Sequence, residues 1–519
     1  MRYGPSVVYD EQFNYLIDNE KYAFKVTLFN PDDNIITLTK SSILNLKLDD
    51  NIFNPWLTGT IIIDNTDDAL ERFVTNPAET EFYSNVKKFK GYSTRGDGRD
   101  LLRIDIIPLE GNKQDYNEQD SDYNATVALR YIFCLEDEES LTYNETPAKK
   151  YTIVDYDMVI LKERRSFFSS SDVIGDSLIV SQLSNNQRSV ETGKCLKSIL
   201  INSLTDENAI FKKTIAGEET TPFFEDGSSK IFYSSPAEFS SYDDIMYIYD
   251  HHVSNNTKND FSFLKKENYT GEYTLESAHN IFNQAYNKDK KKPGSRFLEN
   301  LTITGSSRES GNIINVDLKK PEQALEFGEK GDVVEYNFFN TSSKLHRECM
   351  RSHIVHSYDF KQKKFNLDIF NGNIEKAKAD FTENYVSQLK GKDNAPYPNF
   401  IVNKMQKNNL NYINVFSEYG DNPQIRRSKG INKLLKNALL TNLGVEIIVK
   451  GQLFRKSGMF FSLDRAGDYI DNIFDNKLLG IYFLINVQHI FVNDNEYYNK
   501  LIGIKTYHYS DPKFTEDRL

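Results

Sequence analysis

Strict period-two alternation recurs at both ends of this chain. It restricts the chain to half-buried β-strands more tightly than any other feature. KYAFKVTLF sets Tyr22, Phe24, Val26 and Leu28 against Ala23, Lys25 and Thr27. SILNLKLDD sets Leu44, Leu46 and Leu48 against Ile43, Asn45 and Lys47, and a second run covers residues 57 to 63 before Asp64 and Asn65. The two runs read as a hairpin whose corner holds Pro55, Leu57 and the single tryptophan, Trp56. LLRIDIIPL, ALRYIFCLEDEESL and KKYTIVDYDMVILKERRS read as further strands, with a short helix at DDALERFVTN. Near the other end, VEIIVKGQL, GMFFSLD and the hairpin GIYFLINVQHIF–VNDN–EYYNKLIGIKTYHYS repeat the pattern. In that hairpin Ile481, Phe483, Ile485 and Val487 are expected to face the core.

Between these regions the period changes. VETGKCLKSILINSL spaces Cys195, Leu196, Ile199, Leu200 and Leu204 as one helical face, and DDIMYIYDHHV spaces Ile245 and Ile248 likewise after Ser240, Ser241 and Asp243 as caps. Phe261 and Phe263 share a strand face, and TLESAHNIFNQAY predicts a short helix opened by Thr274 and Glu276. GINKLLKNALLTNLG predicts a helix ended by Gly444 as its C-cap. A chain of 519 residues should form roughly three or four domains. The expected class is α+β and strand-rich. It comprises a first β-barrel over 1–165, a linker and α/β middle domain over 166–300, and a second β-barrel split into 301–375 and 431–519 by a polar insert at 376–430.

Composition narrows the function. There are 63 Lys and Arg against 75 Asp and Glu, a formal net charge of -12, which disfavours a protein gripping nucleic acid through its phosphates. No apolar stretch reaches the roughly 20 residues of a membrane span, and the first residues lack a signal-peptide core. Cys134, Cys195 and Cys349 are too few and scattered for a disulfide framework, so a reducing cytoplasm is the expected compartment of synthesis.

Three stretches carry a family resemblance: LKLDDNIFNPWLTGTIIIDN, the segment from FYSSPAEFSSYDD to TLESAHNIF, and VKGQLFRKSGMFFSLDR with the terminal hairpin. Together they resemble the central baseplate hub of contractile-tailed, T-even-type phages. The resemblance implies a structural virion protein with two tube-forming antiparallel β-barrels and other domains inserted. It also implies a homotrimeric ring joining the tail tube and baseplate proteins to the central spike protein, with viral DNA passing through its lumen without specific binding. It implies no cofactor. An acidic lumen would let phosphates slide. In such a ring Pro55, Trp56 and Leu57 would meet a neighbouring subunit. The alternatives are a tail-associated hydrolase and a type VI secretion-like spike hub component; the repeated glycine–valine needle of the latter is missing.

Enzyme-like motifs are weak. His346, Cys349, His353 and His356 have metal-ligand side chains at helical spacing, but four in line cannot close a tetrahedron, and SHIVHSYDF reads better as a strand. Arg95-Gly96-Asp97 reads first as a turn, and neither a phosphate loop nor a nucleophile elbow is present.

Overall fold

The computed structural model describes residues 22–29, 35–38, 43–66, 101–108, 129–174, 189–204, 224–254, 261–266, 273–278, 280–281, 297–303, 331–340, 352–359, 364–370, 410–414, 443–452, 455–465, 478–492 and 496–505. The first strands are β1 (Tyr22–Phe29), β2 (Ile35–Thr37), β3 (Ile43–Asn51), β4 (Thr58–Asp64), β5 (Leu101–Pro108), β6 (Leu129–Tyr143) and β7 (Thr146–Asp155). A helical layer follows: α1 (Tyr156–Glu163), α2 (Ser170–Ile174), β8 (Val190–Glu191), α3 (Thr192–Leu204), β9 (Lys230–Ile231), α4 (Ser241–Asp250), β10 (Ser262–Lys266) and β11 (Tyr273–Ser277). Strands then return as β12 (Phe297–Ile303), β13 (Gly331–Asn340), β14 (Ser352–Asp359), β15 (Lys364–Phe370), β16 (Leu410–Asn414), β17 (Leu443–Lys450), β18 (Phe460–Arg465), β19 (Gly480–Val492) and β20 (Glu496–Ile504).

Thirteen of these strands share one sheet, in the order β18-β12-β13-β17-β20-β19-β3-β4-β7-β6-β5-β1-β2. Strand β18 also pairs with β19, so six strands from the later part of the chain form a closed circuit of hydrogen bonding. The antiparallel β3–β19 ladder, from Asn51↔Asn486 to Asn45↔Val492, joins the early and late strands. Most pairs are antiparallel as expected, but β12 runs parallel to both its neighbours. Alternation places the expected residues inside: Val26, Leu28, Leu46, Leu48, Ile61 and Ile63 fill one core, and Val445, Ile447 and Val449 fill another. A third core lies under α3 and α4, where Cys195, Leu196, Ile199, Leu200 and Leu204 meet Ile245 and Ile248. Burial pushes the Cys195 thiol up to about 12, which suits inert packing. A capping box opens α4, with the Ser240 hydroxyl accepting from Asp243 N and the Asp243 carboxylate accepting from Ser240 N.

Four expectations are corrected. The strand expected to run past residue 155 stops there, because the Asp155 side chain accepts from Asp157 N and caps α1. Thr274 and Glu276 do not open the expected helix; both are buried in β11, paired with Lys265 and Phe263, and helical residues appear only from Ala278, where Ser277 Oγ accepts from Asn280 N at 3.1 Å. Gly444 is not a helix cap but part of β17, where an added Cβ would lie 2.2 Å from the Phe339 ring. In β19 the register shifts between Leu484 and Asn486, so inward parity passes from Tyr482 and Leu484 to Val487 across the bulge. Ile485 sits in that bulge, only half-buried, and its carbonyl accepts from Ile52 N at 2.9 Å. Phe483 is buried on the other side against Phe460 and Phe263. The side chain of Ile481, the helix expected at 67–76, a further helix expected over EKAKADFTENYVSQLKGKDN at 375–394, residues 430–442 of the helix expected before Gly444, and residues 95–97 lie outside the described residues.

The bulge separates two neighbouring apolar residues by function. Leu484→Ala should cost about 2–5 kcal/mol, as for other fully buried leucines, and Ile485→Ala less than about 1 kcal/mol. Urea unfolding midpoints of the two variants check the order.

Candidate functional site

The hairpin corner at residues 51–57 is where the two strand groups and the helical layer converge. Its shape is local: Asn51 Oδ1 accepts from Phe53 N at 2.9 Å, and Asn54 Oδ1 accepts from Trp56 N at 3.3 Å. Strand β10 then closes on it. Lys266 N donates to Pro55 O at 3.0 Å, while the Lys265 ammonium donates to Asn51 O at 2.8 Å, to Asn54 O at 3.0 Å and to the Asp50 carboxylate.

Asp50 is fully buried and also accepts from Ser457 N at 3.0 Å and Ser457 Oγ at 2.8 Å, which ties the segment leading into β18. Burial acts to raise the Asp50 carboxyl, but the Lys265 charge and these hydrogen bonds outweigh it and hold the group below its ordinary value. A parallel arrangement anchors α1. Lys266 Nζ lies 2.7 Å from Asp155 Oδ1 and 2.6 Å from Asp157 Oδ2. Burial would lower the Lys266 ammonium, yet the two carboxylates push it up to about 12.

Trp56 is 0% exposed and belongs to the core under the helices. Its Nε1 donates to Tyr273 Oη at 2.8 Å, and that hydroxyl donates to Asp157 Oδ2 at 3.1 Å. Burial, reinforced by Asp157 and Asp155, raises the Tyr273 phenol well above its ordinary value. Pro55 and Leu57 are buried as well. The three residues expected between subunits therefore face the interior of their own chain. Beside them an aromatic row runs Phe53–Phe263–Phe483–Phe460, with centroid separations of 6.3, 6.1 and 5.0 Å.

A second polar group flanks the β3–β19 seam. Arg455, 1% exposed, donates to Asn499 Oδ1 at 2.8 Å and to Lys450 O. His489 Nδ1 lies 2.6 Å from Tyr497 Oη and 3.0 Å from Asn499 Nδ2, both able to donate to a neutral ring. Burial lowers His489 to about 4, with Arg455 adding to it and Asp50 opposing.

Chemically this is a joint. Its buried cations and carboxylates point at one another, and the cavity beside Asp50, Lys265, Thr274, Glu276 and Ser457 has about 10 Å³, room for one water. A second cluster has the order of an acyl-transfer triad: Thr192 Oγ1 is 2.9 Å from His252 Nδ1, and His252 Nε2 is 3.1 Å from Glu225 Oε1. The Thr192 hydroxyl is fully buried and shared with Ser229 Oγ at 2.9 Å, so it fastens a loop to the start of α3. Burial would raise Glu225, but the His252 contact and the hydroxyls of Ser262 and Ser254 hold it below its ordinary value. Neither the lysine clamp nor this cluster is marked by sequence spacing, since their members lie up to 407 positions apart.

Of the suggested metal ligands, His346 and Cys349 lie outside the described residues, and His353 and His356 stand three apart on β14, opposite Phe370 and Leu367. Among the described residues no group of three or more His, Cys, Asp or Glu is placed to hold a metal ion, and no helix is long and apolar enough to cross a membrane.

No family model matches the chain, and no curated protein matches it. Among solved structures it is similar to a tail protein from Neisseria meningitidis MC58, at 8% identity and TM-score 0.41, over 95% of this chain and 99% of that one. It is similar to the 43 kDa tail protein of prophage MuSo2 from Shewanella oneidensis, at 7% and 0.40, over 93% and 98%. A chain of the Francisella PdpA–VgrG complex follows at 9% and 0.39, over 98% of this chain and 61% of that one.

Two outcomes test the joint. Lys265→Met leaves the Asp50 carboxylate buried without its cation and should cost about 3–5 kcal/mol, part of which Asp50→Asn in the same chain restores. Emission from Trp56, the single tryptophan, follows the unfolding.

His489 sets a pH dependence. Its folded value near 4 lies below the ordinary 6.5, so its contribution to stability is full above about pH 6.5 and is lost as pH falls toward 4. The loss is of order 3 kcal/mol. His489→Gln should shrink the difference in urea midpoint between about pH 7 and about pH 5; an unchanged difference would refute it.

Proposed function

We propose that this chain is a structural hub protein of a contractile phage tail. Three copies form a ring that joins the tail tube and baseplate proteins to a central spike and surrounds the path of the DNA. The observation that carries the reading is the strand architecture. A closed circuit of six strands is fused through β3–β19 to a second strand group of similar extent. Closure removes free edges, which suits a barrel placed around a channel. The sequence resemblance supplies the identity of the assembly.

In this reading the units are 1–165 and 301–375 with 431–519 as the two tube-type barrels, 166–300 as the inserted layer and 376–430 as the polar insert. Pro55, Trp56 and Leu57 serve the ring from within each chain by fixing the inserted layer against the first barrel. The protein acts in the virion baseplate after assembly in the host cytoplasm, as a scaffold and not an enzyme. The net charge of -12 per chain supports a lumen that passes DNA without holding it.

Mass measurement in solution tests this directly. The expected particle has three times the chain mass of 60.0 kDa and shows no salt-sensitive DNA binding. A monomer with cell-wall hydrolase activity would sink the reading.

A further inference from the structure

We propose that Phe167, together with the groove beside it, forms a contact between two copies of this chain. Phe167 is 74% exposed and has φ +45°, a left-handed conformation that is costly for a residue with a bulky side chain. Its neighbours are held on both sides. Ser166 Oγ donates to the buried Asp244 carboxylate and accepts from Phe168 N at 3.2 Å. Phe168 is buried in the helical core, and its carbonyl accepts from Ser235 N at 2.8 Å. Ser170 N donates to Tyr233 O at 2.8 Å. The phenyl ring is thus presented to solvent by a fixed loop. A glycine would relieve the backbone, so the loop conformation itself does not call for phenylalanine here.

An open groove of about 460 Å³ begins two residues away at Arg165. Tyr242 contributes an aromatic wall, backed by Trp56 at a centroid distance of 5.3 Å and with Lys162 Nζ 5.7 Å from its centroid. The rim carries both signs: Lys162 and Arg165 against Glu163, Glu238 and Asp243. A surface of one sign would call for a different molecule. A mixed one with its own aromatic knob complements itself when rotated, which makes a second copy the occupant: Phe167 of one copy enters the groove of the next, its ring against Tyr242. Aromatic side chains that fill a partner's pocket inside a polar rim are enriched in such contacts. The contact does not depend on the hub reading and could close a pair or a ring.

Phe167→Gly tests it, because its two effects have opposite signs. The backbone strain goes, so the unfolding midpoint of the separated chain should stay level or rise, while self-association weakens at least about tenfold. Sedimentation across a dilution series reads association, and Trp56 emission confirms the fold. A wild-type trimer that the variant leaves intact would overturn the contact and spare the hub. A wild-type dimer abolished in the variant would support the contact and remove the ring of three. A wild type that stays monomeric throughout the series overturns it.

Discussion

The ammonium of Lys265 holds the molecule's three layers in one place. It reaches from β10 to two carbonyls of the hairpin corner, Asn51 O and Asn54 O, and to Asp50, whose other contacts fasten Ser457 ahead of β18. Without that donor, two half-buried carbonyls would lose a partner and the buried Asp50 carboxylate would lose its cation, which is the costliest of the three losses. The adjacent residue, Lys266, performs the same service for the start of α1. One short strand therefore positions elements that lie hundreds of residues apart.

Such charges are poor sources of net stability, because desolvation consumes most of what pairing returns. The driving force lies beside them, in Trp56 and the phenylalanine row from Phe53 to Phe460. The division of labour is physical. Apolar area brings the layers together without regard to angle, and the lysine clamp accepts only one angle.

Much of the fold could be read from periodicity. Val445, Ile447 and Val449 alternate inward, and the helix from Thr192 buries the face that its spacing marks. Failures came where a single side chain overrides a pattern. Asp155 ends a strand by capping α1, and a bulge at Ile485 reverses the facing of its neighbours. Tyr273–Ser277 reads as a helix start because Thr274 and Glu276 mimic a capping pair, yet pairing with β10 decides it as strand. Trp56 was singled out by its rarity and by the proline before it. Its partners Tyr273 and Asp157 were not legible, since nothing local links positions 217 and 116 residues apart.

The β3–β19 ladder has a consequence for synthesis. Strand β3 ends at Asn51 and its partner begins at Gly480, so the ribosome must add more than 400 residues before this edge is covered. At roughly 5–20 residues per second, the nascent chain carries an open edge for about 20–90 s. Lys47 is exposed on that strand, and Asp49 and Asp50 close it. Charges on an uncovered edge deter pairing with other nascent chains. Asp50, paired with Lys265 once the chain is complete, is until then one of the charges on that edge.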